Sequence, residues 1–305
     1  VPQHSPFREG RLLVVAFEGW NDAGEAASGL ARRIVEALGL EELREFDGER
    51  YVDYQFNRPN VGSDDNGERA IIWPRIVWHG PAAPGGVVTG ATGTTSERDV
   101  HVLVGPEPSR TWRGFSSEVL DLIDVHSIDA VVFVGAMLAD VPHTRPISVY
   151  VSSDNAEVRV ASEVERSTYE GPTGIVGVLA DVVDRAGIPA LSLWASVPHY
   201  VHNAPSPKAT LSLLDKIEDL TDVTVPRGSL LDDATQWEEG IDALAADDED
   251  MASYISQLEQ ARDTADSPEA SGDAIAQEFE QYLRRRNGKD GSGQAGEGPW
   301  QPPGQ

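Results

Sequence analysis

Six residues, Gly19-Trp20-Asn21-Asp22-Ala23-Gly24, join a short apolar run to a helical stretch. In open α/β sheets this is where strand carboxyl ends and a helix amino terminus form the ligand crevice. The glycines have the spacing of a phosphate loop, but Glu25-Ala26 stands where that motif needs Lys and Ser or Thr. The cationic and magnesium-binding parts are therefore missing. Asp22 and Glu25 also make an Asp-x-x-Glu capping pair, which fills the positive end of the helix with the protein's own carboxylates and disfavours phosphate. The segment reads either as a structural helix start or as part of a ligand crevice holding Trp20, Asn21 and Asp22.

Gly171-Pro172-Thr173-Gly174-Ile175-Val176-Gly177 is a G-x-x-G-x-x-G string that opens a helix. It lacks the dinucleotide spacing and precedes rather than follows a strand, so NAD is not expected. Thr173 suits the N-cap, leaving amides for a carboxylate or a main-chain group; the alternative is a glycine-lined helix packed close to a sheet. His199 and His202 are three residues apart, but Pro198 and Pro205 argue against the helix that would align them on a metal. His143, Thr144 and Arg145 follow an apolar run in a Pro-bracketed loop, and Glu97, Arg98 and Asp99 precede another. Each cluster suits either a carboxyl-end crevice or a loop ion pair worth under about 1 kcal/mol. A crevice of this kind would draw on Trp20, Asn21, Asp22, Glu97, Arg98, His143, Arg145, Glu170, Thr173 and Tyr200. No Gly-x-Ser-x-Gly elbow or His-Glu-x-x-His is present, and neither a cofactor nor a metal is expected.

The elements that must carry these residues alternate. Apolar runs at 11–17, 69–78, 100–105, 130–135, 147–152 and 190–195 predict strands, and helices are predicted at 22–38, 111–124, 156–165, 173–186 and 207–220. The order predicts an α/β domain over residues 1–225, with a mostly parallel sheet. Pro74 makes 69–78 an edge or broken strand. Beyond it, Trp237, Ile241, Leu244, Met251, Ile255 and Leu258 have the spacing of one amphipathic helix, with Asp233 and Gln236 as a capping box. A second helix is predicted to start at Ser267-Pro268-Glu269, giving an acidic helical hairpin over 226–286. The Gly-, Pro- and Gln-rich residues 287–305 predict a disordered tail.

The chain has 305 residues and a formal charge of −27. Residues 232–283 hold 16 acidic side chains against Arg262, so −15 of that charge sits in about one-sixth of the sequence. This predicts a solvated helical face or, alternatively, a docking surface for a basic partner. The mean field repels nucleic acid and anionic lipid, so neither is an expected partner. With no cysteine, no apolar run of membrane-spanning length and no signal-peptide layout at the start, a soluble, cytoplasmic protein is expected.

Residues 12–28, 91–112, 131–146 and 169–210 together resemble the proteasome assembly chaperone 2 family, bacterial branch. The most specific pieces are the Gly-Trp-Asn-Asp-Ala-Gly turn, then Tyr-x-Gly-x-Thr-Gly, Pro198-His199-Tyr200 and Pro207-Lys208-Ala209. The resemblance implies a three-layer, phosphorylase/hydrolase-like α/β fold. It also implies a non-catalytic assembly-chaperone-like or scaffold role as a homo-oligomer, a trimer being the leading expectation, with other proteins as further partners. Relatives that dock on proteasome rings use a hydrophobic-Tyr-x carboxyl end, which Gly-Pro-Trp-Gln-Pro-Pro-Gly-Gln does not supply. The alternative it implies is a small-molecule binder, or an enzyme like the nucleoside phosphorylases or related to ATP-grasp enzymes, with its site at the strand carboxyl ends.

Overall fold

The computed structural model describes residues 5–64, 66–83, 87–89, 95–202 and 204–265. The chain begins α1 (Pro6–Glu9), β1 (Leu12–Glu18), a 3₁₀ turn (Ala23–Glu25), α2 (Ala26–Leu38), β2 (Glu41–Glu45) and α3 (Gly48–Tyr51). Next come β3 (Asn60–Ser63), β4 (Arg69–Ile72), β5 (Val77–Gly80), β6 (Val87–Thr89), β7 (Thr95–Glu97), β8 (Val100–Pro106), α4 (Trp112–Val125) and β9 (Ala130–Ala139). After these follow β10 (Val149–Ser152), α5 (Ala156–Ser162), α6 (Ile175–Arg185), β11 (Ala190–Pro198), a second 3₁₀ turn (His199–Val201), α7 (Pro207–Thr221), α8 (Leu230–Ala246) and α9 (Glu249–Ala265).

Seven strands form one mixed sheet in the order β10-β11-β9-β1-β8-β5-β2. The four central strands are parallel to one another, β5 and β10 run against them, and β2, antiparallel to β5, runs with them. Alternate residues of β1 serve opposite cores. Leu12, Val14 and Ala16 pack with α2 and α7 through Leu30, Ile34, Leu213 and Ile217. Leu13, Val15 and Phe17 pack with α4 and α6 through Phe115, Val119, Ile175 and Leu179. Burial on both faces is why these strands are continuous apolar runs without alternation. The result is the expected three-layer α/β architecture, helices on both faces of the sheet.

The 69–78 run is a broken strand, as Pro74 predicts: it divides into β4 and β5, and among the described residues β4 pairs only with β3, apart from the main sheet. Two expectations change. The stripe from Trp237 to Leu258 is two helices rather than one. Asp248 Oδ1 accepts the Met251 N–H at 3.0 Å and caps α9, so the seven-residue step between Leu244 and Met251 spans a turn. The expected capping box is also displaced, because α8 begins at Leu230 and Asp233 lies in its first turn, accepting the Ser229 hydroxyl at 2.8 Å. The helix expected from Ser267 and the tail at 287–305 fall outside the described residues. Among the described residues no helix is long and apolar enough to cross a membrane.

A histidine pair lies beside the second core. His101 is 4% exposed, and its Nδ1 accepts the Trp78 Nε1–H at 3.0 Å. His126 stacks on Trp78, ring centroids 5.5 Å apart. Burial, reinforced by His126, pushes His101 down from 6.5 to about 4. The unfolded chain therefore takes up this proton first, so stability is expected to fall as pH drops from 6.5 toward 4, by roughly 3 kcal/mol in full. Urea midpoints across that range should fall more steeply for the wild type than for His101→Gln, which keeps an acceptor for Trp78; parallel slopes would refute the assignment.

Candidate functional site

The first βα turn, the loop after β8 and the start of α6 meet at the carboxyl ends of β1 and β8. Asn21 Nδ2 donates to Glu107 Oε1 at 3.1 Å, and the same oxygen accepts the Ile175 N–H at 2.7 Å. Gly174 makes this close approach possible. A Cβ there would lie 2.2 Å from Asn21 Nδ2 and 2.6 Å from Glu107 Oε1. Two of the string's glycines are thus explained by packing, since a Cβ at Gly177 would meet Thr173 Oγ1 at 2.1 Å. Thr173 is not the side-chain cap expected of it; the carboxylate that satisfies the amino terminus of α6 comes from Glu107, which no local motif marks.

Asp22 is 6% exposed, and its Oδ1 accepts the N–H groups of Ala27 and Ser28 at 2.8 and 3.1 Å. It caps α2 from across the 3₁₀ turn, a longer reach than the expected Asp-x-x-Glu box. Glu25 itself sits at φ 49° without a capping bond. Asp22 Oδ2 and Ser206 Oγ are buried without a hydrogen-bond partner among the described residues. Burial raises the Asp22 carboxyl above its ordinary range, opposed by the Ser28 and Ala27 bonds. Asp22→Asn should leave stability almost intact at neutral pH, because Asn caps about as well, whereas Asp22→Ala should cost about 0.5–2 kcal/mol. A raised carboxyl favours the fold in its protonated form, so relative to Asp22→Asn the wild type should gain as pH falls. Urea titrations of the three proteins check both statements; loss of stability in Asp22→Asn comparable to that in Asp22→Ala would contradict the capping role.

The remaining candidates disperse. Trp20 is 61% exposed beside the Asn21 turn, and Glu170 is exposed before α6. Arg98 lies at the opposite, amino-terminal end of the sheet, donating to the carbonyls of Gly10 and Thr221, so it does not join the carboxyl-end group. Glu97 ends β7, in the small sheet with β6. His143, Arg145 and Tyr200 come together, but against α8 and α9, the helical pair that the described residues show in this region. The Tyr200 hydroxyl accepts the His143 backbone N–H at 2.7 Å and lies 2.8 Å from His143 Nδ1. His143 Nε2 lies 3.0 Å from Asp242 Oδ1, which only accepts, so Nε2 carries the proton of that bond, and in the neutral ring Nδ1 accepts the Tyr200 O–H. An Asp-His-Tyr relay results, yet His143 is fully buried and the Tyr200 phenol is pushed up to about 12 by burial. Such a phenol holds its proton at neutral pH.

Arg145 holds Asp263 through both carboxylate oxygens at 2.8 Å and Glu259 at 3.2 Å. Thr144 donates to Glu259, and Lys208 to Glu238 and the His143 carbonyl. The acidic face is largely solvated, as expected, but Glu238 and Glu259 are half-buried, and Glu238, Asp242, Glu259 and Asp263 take partners on the α/β domain. His199 Nδ1 lies 3.2 Å from Asp140 Oδ1, while His202 Nδ1 lies 2.8 Å from the His199 carbonyl. Among the described residues no group of side chains could hold a metal ion.

A cleft of about 260 Å³ runs between Glu18, Arg32, Arg75, His79 and Gly105, and a neighbouring one of about 330 Å³ shares Glu18 and Arg75 and reaches Arg58, Asn60, Ile72 and Trp73. Glu18, at the carboxyl end of β1, is raised by burial against the pull of Arg32. Arg75 is held by Glu42 and Glu45. Sequence periodicity gave no sign of this cleft, because its walls come from β1, α2, β5 and β8.

Similarity to known proteins now adds to this geometry. A PAC2 family protein from Streptomyces avermitilis is 43% identical over 80% of this chain and 99% of its own, with a TM-score of 0.71. A proteasome-assembly chaperone homologue of Mycobacterium tuberculosis is 41% identical over 80% and 99%, TM-score 0.68. PbaB of Pyrococcus furiosus, an archaeal proteasome activator, shares the fold at 13% identity over 80% and 97%, TM-score 0.59. No curated protein matches significantly. The model of the PAC2 family matches residues 16–245, from within β1 to the end of α8. With three-quarters of its length inside that match, this chain belongs to the PAC2 family.

Proposed function

We propose that this protein is a non-catalytic scaffold of the assembly-chaperone type, acting through protein–protein contacts as a homo-oligomer in the cytosol. The observation that carries the reading is the β3–β4 hairpin. Among the described residues these two strands pair only with each other, and a lone two-stranded ribbon is marginal in water. Both of its faces nevertheless expose apolar groups: the cross-strand pair Val61 and Ile71, 60% and 46% exposed, on one, and Ile72, 50% exposed, over Gly62 on the other. Phe56 and Trp73 nearby are 84% and 49% exposed. Contiguous exposed apolar surface of this kind fits an interaction site. The resemblance of close relatives to assembly chaperones agrees with it, and the trimer is the form expected by analogy.

Affinity capture from the native cytosol, comparing the wild type with Ile71→Asp/Trp73→Asp, tests the reading. Retained proteins should be lost with the variant while the fold, judged by circular dichroism, is kept. Identical captures would reject it. The Glu18–Arg75 cleft favours one second reading, a small-molecule site at the strand carboxyl ends. Phosphorolysis of inosine, or hydrolysis of ATP with magnesium, that disappears in Glu18→Gln or Arg75→Ala would establish that reading instead.

A further inference from the structure

The two hairpin helices are held in different ways. Helix α8 buries Ala234, Ile241 and Ala245 and packs along α7. Helix α9 buries Ile255 alone. Met251 and Leu258 are half-buried, and the helix is further attached through polar and aromatic groups: Glu259 and Asp263 on Arg145, Glu259 on Thr144, and Tyr254, whose hydroxyl donates to Asp140 at 3.4 Å and whose ring packs against His199 at 5.6 Å. The Arg145 and Asp263 side chains are 32% and 57% exposed, so solvent and salt screen their attraction. A seventeen-residue helix has little stability of its own in water. Between the helices lie only Asp247 and Asp248, whose caps end one and start the other. Helix α9 can therefore leave as a unit while α8 stays.

What it leaves behind is a surface with defined chemistry. One guanidinium takes two carboxylates a helical turn apart, Thr144 adds a hydroxyl, and His199 with Tyr200 forms an aromatic wall. We propose that Thr144, Arg145 and His199 form a receptor for an acidic helix carrying aromatic-x₄-Glu-x₃-Asp, and that α9, with Tyr254, Glu259 and Asp263, is its resident and displaceable ligand. The partner it fits is an acidic amphipathic helix of another protein with the same three groups on one face. This surface is separate from the β3–β4 hairpin, and the proposal stands or falls without it. A tethered helix competes at high effective concentration, so an outside helix binds the native chain only in the fraction where α9 is away.

The test uses a labelled peptide of residues Glu249–Ala265 and the full chain carrying Glu259→Gln and Asp263→Asn. This chain should bind the peptide at least about tenfold more tightly than the wild type, and affinity should fall as salt rises. Adding Arg145→Gln to it, or placing Glu259→Gln and Asp263→Asn in the peptide, should cost at least about tenfold. No binding to the altered chain, or binding that survives Arg145→Gln, overturns the proposal. A second measurement leaves α9's charges intact. The chain has no cysteine, so spin labels on Ser256→Cys and Glu157→Cys report the position of α9 alone. Excess peptide should move part of the distance distribution to longer values; an unchanged distribution at high peptide and high salt also overturns it.

Discussion

Gly105→Ala is expected to destabilise the fold by about 3 kcal/mol or more, among the largest effects of any single methyl group in this chain. Gly105 has φ 152°, and a Cβ there would lie 2.3 Å from the Arg75 carbonyl oxygen and 2.7 Å from Ile76 Cα. Both obstacles are backbone, and neither can swing aside. Ile76 is held in turn, its carbonyl accepting the Phe46 N–H at 2.9 Å. Relief would require β5 to move off β8, where Val77 pairs with Val104. Chemical denaturation measures the loss. A change within about 0.5 kcal/mol would show that the approach of residues 75 and 76 is looser than described.

Ile241→Asp together with Ile255→Asp should undock the hairpin. The two side chains are 4% and 6% exposed, so each substitution buries a carboxylate with no cation placed to receive it, typically a cost of several kcal/mol. Asp242, Glu238 and Glu259 would then lose His143, Lys208 and Arg145 as partners. The expected result is fast amide exchange throughout α8 and α9 and a lower melting temperature, with the sheet strands β1 and β9 still protected. Unchanged exchange in α8 would mean that the hairpin is held by something other than its apolar stripe.

Elements that periodicity encodes are legible in the sequence, and those set by tertiary contact are not. β1, β8, β9 and β11 are largely buried on both faces, so each is a mainly apolar run, interrupted only by His101 in β8 and by Ser192 and Ser196 in β11, that can be read locally. β2 is Glu-Glu-Leu-Arg-Glu and exposed at every residue, with nothing in its pattern to separate it from a loop. Its charges suit an edge strand, where they discourage pairing with another chain. The site follows the same division. Asn21 and Asp22 sit in the βα turn that topology marks, but Glu107 reaches Asn21 from 86 residues away. His143 and Arg145 lie on the loop expected of them, while their carboxylates lie 99 and 118 residues further on, in a segment whose sequence shows only charge and a stripe. Arg98 precedes β8 rather than following it, which puts it at the amino end of a parallel strand, and strand direction alone excludes it from the carboxyl-end group.

Light scattering of the purified chain tests the scaffold reading most directly. The account predicts a mass that is a multiple of the 32.9 kDa chain, three being the expected number, which falls to a single chain in Ile71→Asp/Trp73→Asp. A wild type of 32.9 kDa at every concentration, or an oligomer indifferent to the two substitutions, would contradict it.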